Sequence, residues 1–372
     1  MAGLLPNVDP DGLLEFSVVY TDRSLNHMSK AFQGVMTDLH KTLTSVYSAE
    51  HAVIVPGGGT FGMEAVARQF AQNAKTLVVR NGWFSFRWTQ IFDAGSFAAD
   101  SDVRKASPKA GRAFTPAPID EVVAAIRAEK PAVVFAPHVE TSAGMMLPDS
   151  YIKSMADAAH EVGALLVIDC IASGCIWLDM ADLGIDVLVS APQKGWSGTP
   201  CAGLVMLSAN AVAKMAETTS DSFAIDLKKW SDIMNAYLAG GHAYHATMPT
   251  DSLRAFRDIT IEMAEIGFDE LKARQQALGD KVRALLASKG VESVAGEGFQ
   301  APGVVVSYTA DPEIKSGKKF ADIGVQIAAG VPLQCDEPAD FQTFRLGLFG
   351  LDKLVDVDAT VARLSAALDQ VL

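Results

Sequence analysis

The sequence predicts an α/β fold, with a mainly parallel sheet in a large domain and a smaller C-terminal α+β domain. Three observations carry that expectation. Between about residues 50 and 207, short apolar runs lack the polar alternation of a half-exposed strand, so both of their faces are buried. Amphipathic helical stretches separate these runs, as the crossovers between parallel strands require. Beyond residue 250 the pattern changes to one long helical stretch followed by a few strands and helices.

In chain order, the candidate strands of the large domain are Ala52–Val55, Thr76–Val79, Ala132–Phe135, Ala164–Ile168, Val187–Val189 and Gly203–Met206. Helical segments fall between them at Met63–Ala71, Ile119–Ala128 and Tyr151–Glu161. The connecting region Asp221–Pro249 opens as a helix and ends in the irregular run Gly240–Pro249. Asp251–Lys289 then reads as one long helix with few breakers. Strands at Pro302–Tyr308 and Thr343–Leu348, with helices near Phe320–Ala328 and Val357–Leu368, complete the tail. The expected division is therefore 1–250, holding an N-terminal segment and the large domain, and 251–372, holding the long helix and the small domain. There is no internal repeat and no low-complexity tract.

With 372 residues and 49% apolar content, the chain can bury an enzyme-sized core. Its formal charge of -13, with no run of Lys or Arg longer than a pair, argues against nucleic acid or an anionic membrane as partner. No stretch approaches the apolar length of a membrane helix, and Met1–Asn7 lacks the basic and apolar regions of a secretion signal. A cytoplasmic location is the resulting expectation. Cys170, Cys175, Cys201 and Cys335 form no CxxC pair, so they read as reduced thiols rather than as a zinc site or disulfide framework.

Ligands of an open parallel sheet bind beyond the carboxyl ends of its strands, so the residues after each apolar run carry the functional signal. After the first strand, Pro56-Gly57-Gly58-Gly59-Thr60 opens a helix and offers backbone N–H groups to an anion. The same loop also suits a tight strand-to-helix turn with no ligand, and although Gly57, Gly59 and Gly62 have GxGxxG spacing, no acid follows about twenty residues on. Asp169 ends its strand where a carboxylate could accept from a pyridinium N–H; an isolated Asp there could equally cap a helix. Lys194 follows Gln193 beyond the next strand, where burial would lower its pKa and favour attack on an aldehyde, although a lone lysine in a Gly/Ser/Pro loop is ordinarily solvated. Phosphate loop, strand-end acid and strand-end lysine in that order, with 25 residues from Asp169 to Lys194, form a coherent set for holding pyridoxal 5'-phosphate.

From about residue 25 onward the sequence resembles the class V aminotransferases of fold type I, particularly the alanine:glyoxylate and serine:glyoxylate group. The run Gly57-Gly58-Gly59-Thr60 with Met63-Glu64 is similar to the family's phosphate turn, which implies phosphate contacts for Gly58, Gly59 and Thr60. Asn81-Gly82-Trp83-Phe84-Ser85-Phe86-Arg87 resembles the segment whose aromatic stacks on the pyridine ring. That match puts Phe84 on the ring, with Trp83 beside it as the alternative because the family usually has tryptophan. His138-Val139-Glu140-Thr141-Ser142-Ala143-Gly144 matches a His-x-Glu-x-Ser-x-Gly stretch and implies a hydrogen bond from Ser142 near the cofactor's phenolic oxygen. Asp169 matches the pyridinium acid, with Ile171 packing on the opposite ring face. Gln193-Lys194 matches the pair that contacts phosphate and binds the cofactor covalently. Tyr244 and Thr247 resemble residues that reach the phosphate of the neighbouring subunit, which implies a homodimer with shared active sites. Arg345, in Phe344-Arg345-Leu346-Gly347, resembles the residue that grips the substrate carboxylate with two parallel hydrogen bonds.

The resemblance implies transamination between a small amino acid and a 2-oxo acid, with glyoxylate or pyruvate as acceptor. Lys194 would hold the cofactor and then shuttle the α-proton, and Asp169 would make the ring an electron sink. The sequence departs from the family at Val8–Ser17, which replaces a Gly/Pro-rich segment lining the substrate pocket, and Asp22–Met28 matches too loosely to give Arg23 or His27 a role. The rival reading is a pyridoxal-phosphate-dependent cysteine desulfurase, because Cys335 lies ten residues before Arg345. Asp336 and Glu337 would disfavour its thiolate, and no nearby cation supports it. The joint presence of Asp169, Gln193, Lys194 and Arg345 speaks against a fold relative that has lost the cofactor.

Overall fold

A computed structural model describes residues 8–372, so Met1–Asn7, on which the expectation of no targeting signal rests, lies outside the described residues. Seven strands form the main sheet: β1 His51–Pro56, β2 Lys75–Arg80, β3 Asp100–Lys105, β4 Val133–Pro137, β5 Leu165–Asp169, β6 Val187–Ser190 and β7 Ala202–Leu207. Their spatial order is β1-β7-β6-β5-β4-β2-β3. Every residue of β4, β5, β6 and β7 is buried, as their continuous apolar runs require of a sheet covered on both faces. β7 runs antiparallel to both of its neighbours, so β1 points the same way as the five strands beyond β7. All six parallel strands therefore end on one edge.

The sheet is mainly parallel as expected, with Gly203–Met206 in its one antiparallel strand, a direction that a run buried on both faces does not reveal. One feature of it differs from the sequence expectation: β3 matches none of the candidate strands. Its residues, Asp-Ser-Asp-Val-Arg-Lys, have no apolar run because it is an edge strand with half-exposed faces, paired only to β2 through contacts such as Val78↔Val103.

A second, antiparallel sheet holds β8 Val304–Tyr308, β10 Thr343–Gly347 and β9 Ala328–Ala329, in that spatial order. The expected single helix Asp251–Lys289 is two helices, Thr250–Ile266 and Phe268–Ser288. Gly267 between them has φ +99°, a conformation that side chains avoid. The expected helix Phe320–Ala328 shortens to Lys318–Asp322, since Gly324 turns left-handed and the chain then extends into β9. Arg283, on the second long helix, donates from Nη2 to the carbonyls of Gly144, Ala301 and Val304 at 3.1, 2.7 and 3.2 Å. One guanidinium thus ties the second sheet to the loop beyond β4.

Helix α1, Lys30–Tyr47, starts where Ser29 Oγ accepts from Phe32 N at 3.1 Å, and it buries Phe32, Val35, Met36, Leu39, Leu43 and Tyr47 at helical spacing. Between α1 and β1, His40 Nε2 lies 3.0 Å from His51 Nδ1, and His51 Nε2 lies 3.1 Å from Ser231 Oγ. All four cysteines are free and buried. Among the described residues no helix is long and apolar enough to cross a membrane, and no cluster of His, Cys, Asp or Glu could hold a metal ion.

Burial, with the charge of His40 adding, pushes the His51 pKa down to about 4, so the ring is neutral in the fold. An unfolded histidine takes up its proton near 6.5, and the unfolded chain therefore binds protons more readily between those values. Stability is fully present above about pH 6.5 and declines as pH falls toward 4. We expect the urea midpoint to drop through that window and the decline to be shallower in His51→Gln. Identical slopes in the two proteins would contradict this assignment.

Candidate active site

The site is assembled at the carboxyl edge of the main sheet. Winding proceeds outward from β2 to β3, returns past β2 to β4, and then continues the other way through β5 and β6. The reversal falls between β2 and β4, where crossovers on opposite faces leave a crevice. The segments after β2 and β4 bear Phe84 and Glu140–Ser142, while those after β1, β5 and β6 bear Gly58–Thr60, Asp169–Ile171 and Gln193–Lys194.

Lys194 sits in a braced loop. Gly198 N donates to Pro192 O at 2.8 Å and Ser197 N to Lys194 O at 2.9 Å. Two residues beyond the lysine, buried Trp196 packs 4.7 Å from Trp177 between ring centroids, against Phe256 and Phe268, and its Nε1 donates to Tyr47 Oη at 3.2 Å. Gly195 has no room for a side chain, because a Cβ there would lie 2.0 Å from Gly174 O. The loops after β5 and β6 therefore touch backbone to backbone, and Cys175 Sγ donates to Gly195 O at 3.3 Å.

Glu140 is wholly buried and fixes the opposite wall. It accepts from Phe84 N (3.1 Å), Ser85 N (2.9 Å), Ser85 Oγ (2.7 Å), Ser142 N (3.0 Å) and Ser142 Oγ (2.7 Å). Its carboxylate thereby caps helix α3, Trp83–Gly95, where the helix dipole favours negative charge. Ser142 Oγ accepts from Trp83 N at 2.9 Å and completes the join.

These walls enclose a cavity of about 200 Å³ lined by Gly59, Thr60, Met63, Phe84, Arg87, Val139, Thr141, Asp169, Ile171, Ala172, Gln193 and Lys194. Burial pushes the Asp169 carboxyl up to about 7, with Glu140 adding to the rise. The hydrogen bond from Ile171 N at 2.9 Å and the charges of Arg87 and Lys194 oppose it. Burial lowers the Lys194 pKa, and the positive charges of Arg345 and Arg87 lower it further. Arg345, on β10, donates from Nε to Ala329 O at 2.8 Å and lies over the Phe84 ring, 5.6 Å from its centroid.

A family model for aminotransferase class-V matches residues 14–331. The chain belongs to the class V aminotransferases. Among its relatives is the 2-aminoethylphosphonate–pyruvate transaminase of Pseudomonas putida, 28% identical over 313 residues, which cover 82% of this chain and 79% of the relative. Two solved structures share the fold. The alanine–glyoxylate aminotransferase of a Nostoc species has a TM-score of 0.80 at 22% identity, over 93% of this chain and 89% of its own. The ureidoglycine–glyoxylate aminotransferase of Bacillus subtilis has a TM-score of 0.78 at 20% identity, over 96% of this chain and 88% of its own. The architecture is thus fold type I, and class V aminotransferases depend on pyridoxal 5'-phosphate.

The class V cofactor fits the cavity. Asp169 is a buried carboxylate with no ion-pair partner among the described residues, which a pyridinium N–H would satisfy. The N-terminus of helix α2, Gly59–Phe70, has no side-chain cap and no acid in its first turn, which leaves it open to a phosphate. Gly59 is closely packed, since a Cβ would lie 2.5 Å from Ile171 Cδ1, while Gly58 faces open space.

Most of the residues expected from the sequence gather here: Gly59, Thr60, Phe84, Asp169, Ile171, Gln193 and Lys194 line one cavity. Phe84 rather than Trp83 is on the wall, because Trp83 turns toward Phe86, 6.0 Å away between centroids. Ser142 is not on it, since its hydroxyl bridges Trp83 N and Glu140, and Thr141 takes the lining position. Tyr244 and Thr247 are also off the wall, hydrogen-bonded to each other at 3.0 Å. Arg87, one turn beyond Phe84 on α3, also lines the cavity, a place that its helical spacing from Phe84 signals. His138 is buried and neutral, its pKa pushed down to about 3 by burial, with Nδ1 2.7 Å from Ser173 Oγ.

Removing the Glu140 carboxylate strands several buried donors at the start of α3, each worth about 1–3 kcal/mol. We expect Glu140→Ala to lose about 3 kcal/mol or more of unfolding free energy in urea, and a loss below about 1 kcal/mol would contradict this role.

Proposed function

We propose that this chain transfers an amino group between a small amino acid and a 2-oxo acid, using pyridoxal 5'-phosphate bound through Lys194. The observation that carries the reading is the single cavity lined by Lys194, Asp169 and the open α2 N-terminus at Gly59–Thr60. When bound, the cofactor supplies an aldehyde that takes the substrate's amino group and a ring that accepts the electrons left by the departing α-proton.

Lys194 Nζ, kept more readily neutral by burial and by Arg345, takes that proton and returns it on the other side of the transfer. Asp169 would accept from the ring nitrogen and keep it protonated. Phe84 and Ile171 would hold the ring and exclude water. Arg345 is anchored by Nε alone, which leaves its terminal N–H groups for a substrate carboxylate. Gly58, Gly59, Thr60 and Gln193 receive the phosphate. The named activity of the Pseudomonas putida relative supports pyruvate as an acceptor, and those of the structural neighbours support glyoxylate.

Several further features belong to the same proposal. Residues 1–250 and 251–372 act as a large and a small domain, and the enzyme works in the cytoplasm as a homodimer. Tyr244 and Thr247, exposed and not lining their own chain's cavity, would complete the partner's phosphate site. Cysteine desulfurase chemistry is less favoured: Cys335 is buried, donates to Arg80 O at 3.3 Å and does not line the cavity. Burial pushes its thiol up to about 12, with Glu140 and Glu337 adding to the rise, so no thiolate is poised for attack.

Purified protein should show a visible cofactor band that shifts on addition of an amino donor and recovers with pyruvate or glyoxylate. Lys194→Ala should lack the band shift and lose about 10³-fold or more in turnover, while Arg345→Met should raise KM for the carboxylate substrate. Protein that stays colourless with added pyridoxal phosphate, or sulfide release from cysteine that Cys335→Ala abolishes, would contradict the reading.

A further inference from the structure

We propose that Arg87 is the counter-cation of the cofactor phosphate, a role beyond the residues assigned above; it rests on the pyridoxal-phosphate reading of the cavity. Arg87 lies on α3 one turn beyond Phe84, lines the cavity, and donates from Nη1 to Thr60 Oγ1 at 2.9 Å. Thr60 belongs to the first turn of α2, the end that is open to an anion. The N–H groups of Phe61 and Gly62 return to Gly58 O, while those of Gly59 and Thr60 have no acceptor among the described residues. Arg87 forms no ion pair among the described residues either. A guanidinium that is held by Thr60 and lies over the Phe84 ring, 5.2 Å from its centroid, but has no ion-pair partner therefore lies beside two backbone donors without an acceptor.

Charge balance points the same way. A phosphate monoester carries about -1.5 to -2 near neutral pH. Thr60, Gln193, and the Tyr244 and Thr247 proposed to come from a partner are all neutral donors. Of the cavity's lining residues only Arg87 and Lys194 are cations, and Lys194 is needed at the aldehyde. Arg345 does not line the cavity. A guanidinium can fork onto two phosphate oxygens, and its existing bond to Thr60 holds it at the cradle before the ligand arrives.

The test compares equilibrium binding of pyridoxal 5'-phosphate and of pyridoxal, which lacks the phosphate, to apoprotein of wild type, Arg87→Met and Arg87→Lys, followed by tryptophan fluorescence. Circular dichroism melts verify that each variant is folded. Loss of a charge-assisted contact predicts that Arg87→Met weakens the phosphorylated ligand by about 10- to 100-fold, with pyridoxal changed less than about threefold. Inorganic phosphate should compete with pyridoxal 5'-phosphate in wild type and lose that effect in Arg87→Met, while Arg87→Lys should fall between. Unchanged affinity for the phosphorylated ligand in the folded variants, or equal weakening of both ligands, would overturn the assignment to Arg87 alone. A wild type that binds neither ligand would overturn this assignment and the cofactor reading together.

Discussion

The parallel pairing of β5 with β6 is the constraint on which the site depends. Val187, Leu188 and Val189 stand opposite Val167, Ile168 and Asp169, so the strand-end acid and the loop bearing Lys194 emerge side by side. Register in a fully buried strand pair is strongly specified, because a one-residue slip would exchange every side chain between the two covered faces. Beyond the strands the loops stay in contact, through Gly195 against Gly174 and through Trp196 in its aromatic pocket. A lysine side chain is flexible by nature; here its backbone is held by the bonds of Gly198 to Pro192 O and of Ser197 to Lys194 O.

That placement sets the electrostatics. Burial pushes both Asp169 and Lys194 toward their neutral forms, and each opposes that push on the other. Arg87 and Arg345 then bias the cavity toward positive potential, which lowers the Lys194 pKa and favours anions there. Glu140 offsets part of this from behind the wall, where five hydrogen bonds stabilise its charge without placing it in the cavity. One set of residues thus disfavours a protonated lysine and favours phosphate and carboxylate groups.

Much of this was legible in the sequence where local pattern and function coincide. Continuous apolar runs located the buried strands, and the residues just after them supplied Gly59, Thr60, Asp169 and Lys194. What escaped was decided by tertiary contact. β3 has no apolar run because it is an edge strand, and the direction of β7 leaves no trace in a run buried on both faces. Ser142 matches a motif, but whether its hydroxyl faces the cavity or Glu140 depends on the approach of α3 across the crevice. Arg87 lies in the aromatic segment with no role of its own in the sequence, and only the fold sets it beside the α2 N-terminus. For Cys335, Asp336 and Glu337 already spoke against a thiolate in the sequence, and the packing against Arg80 O adds that the thiol is buried.

The most direct test of the central claim is chemical trapping. Protein loaded with pyridoxal 5'-phosphate, reduced with borohydride and digested, should yield one modified peptide by mass spectrometry, with the pyridoxyl group on Lys194 in near-stoichiometric amount. A label on another lysine, or none at all, would contradict the account.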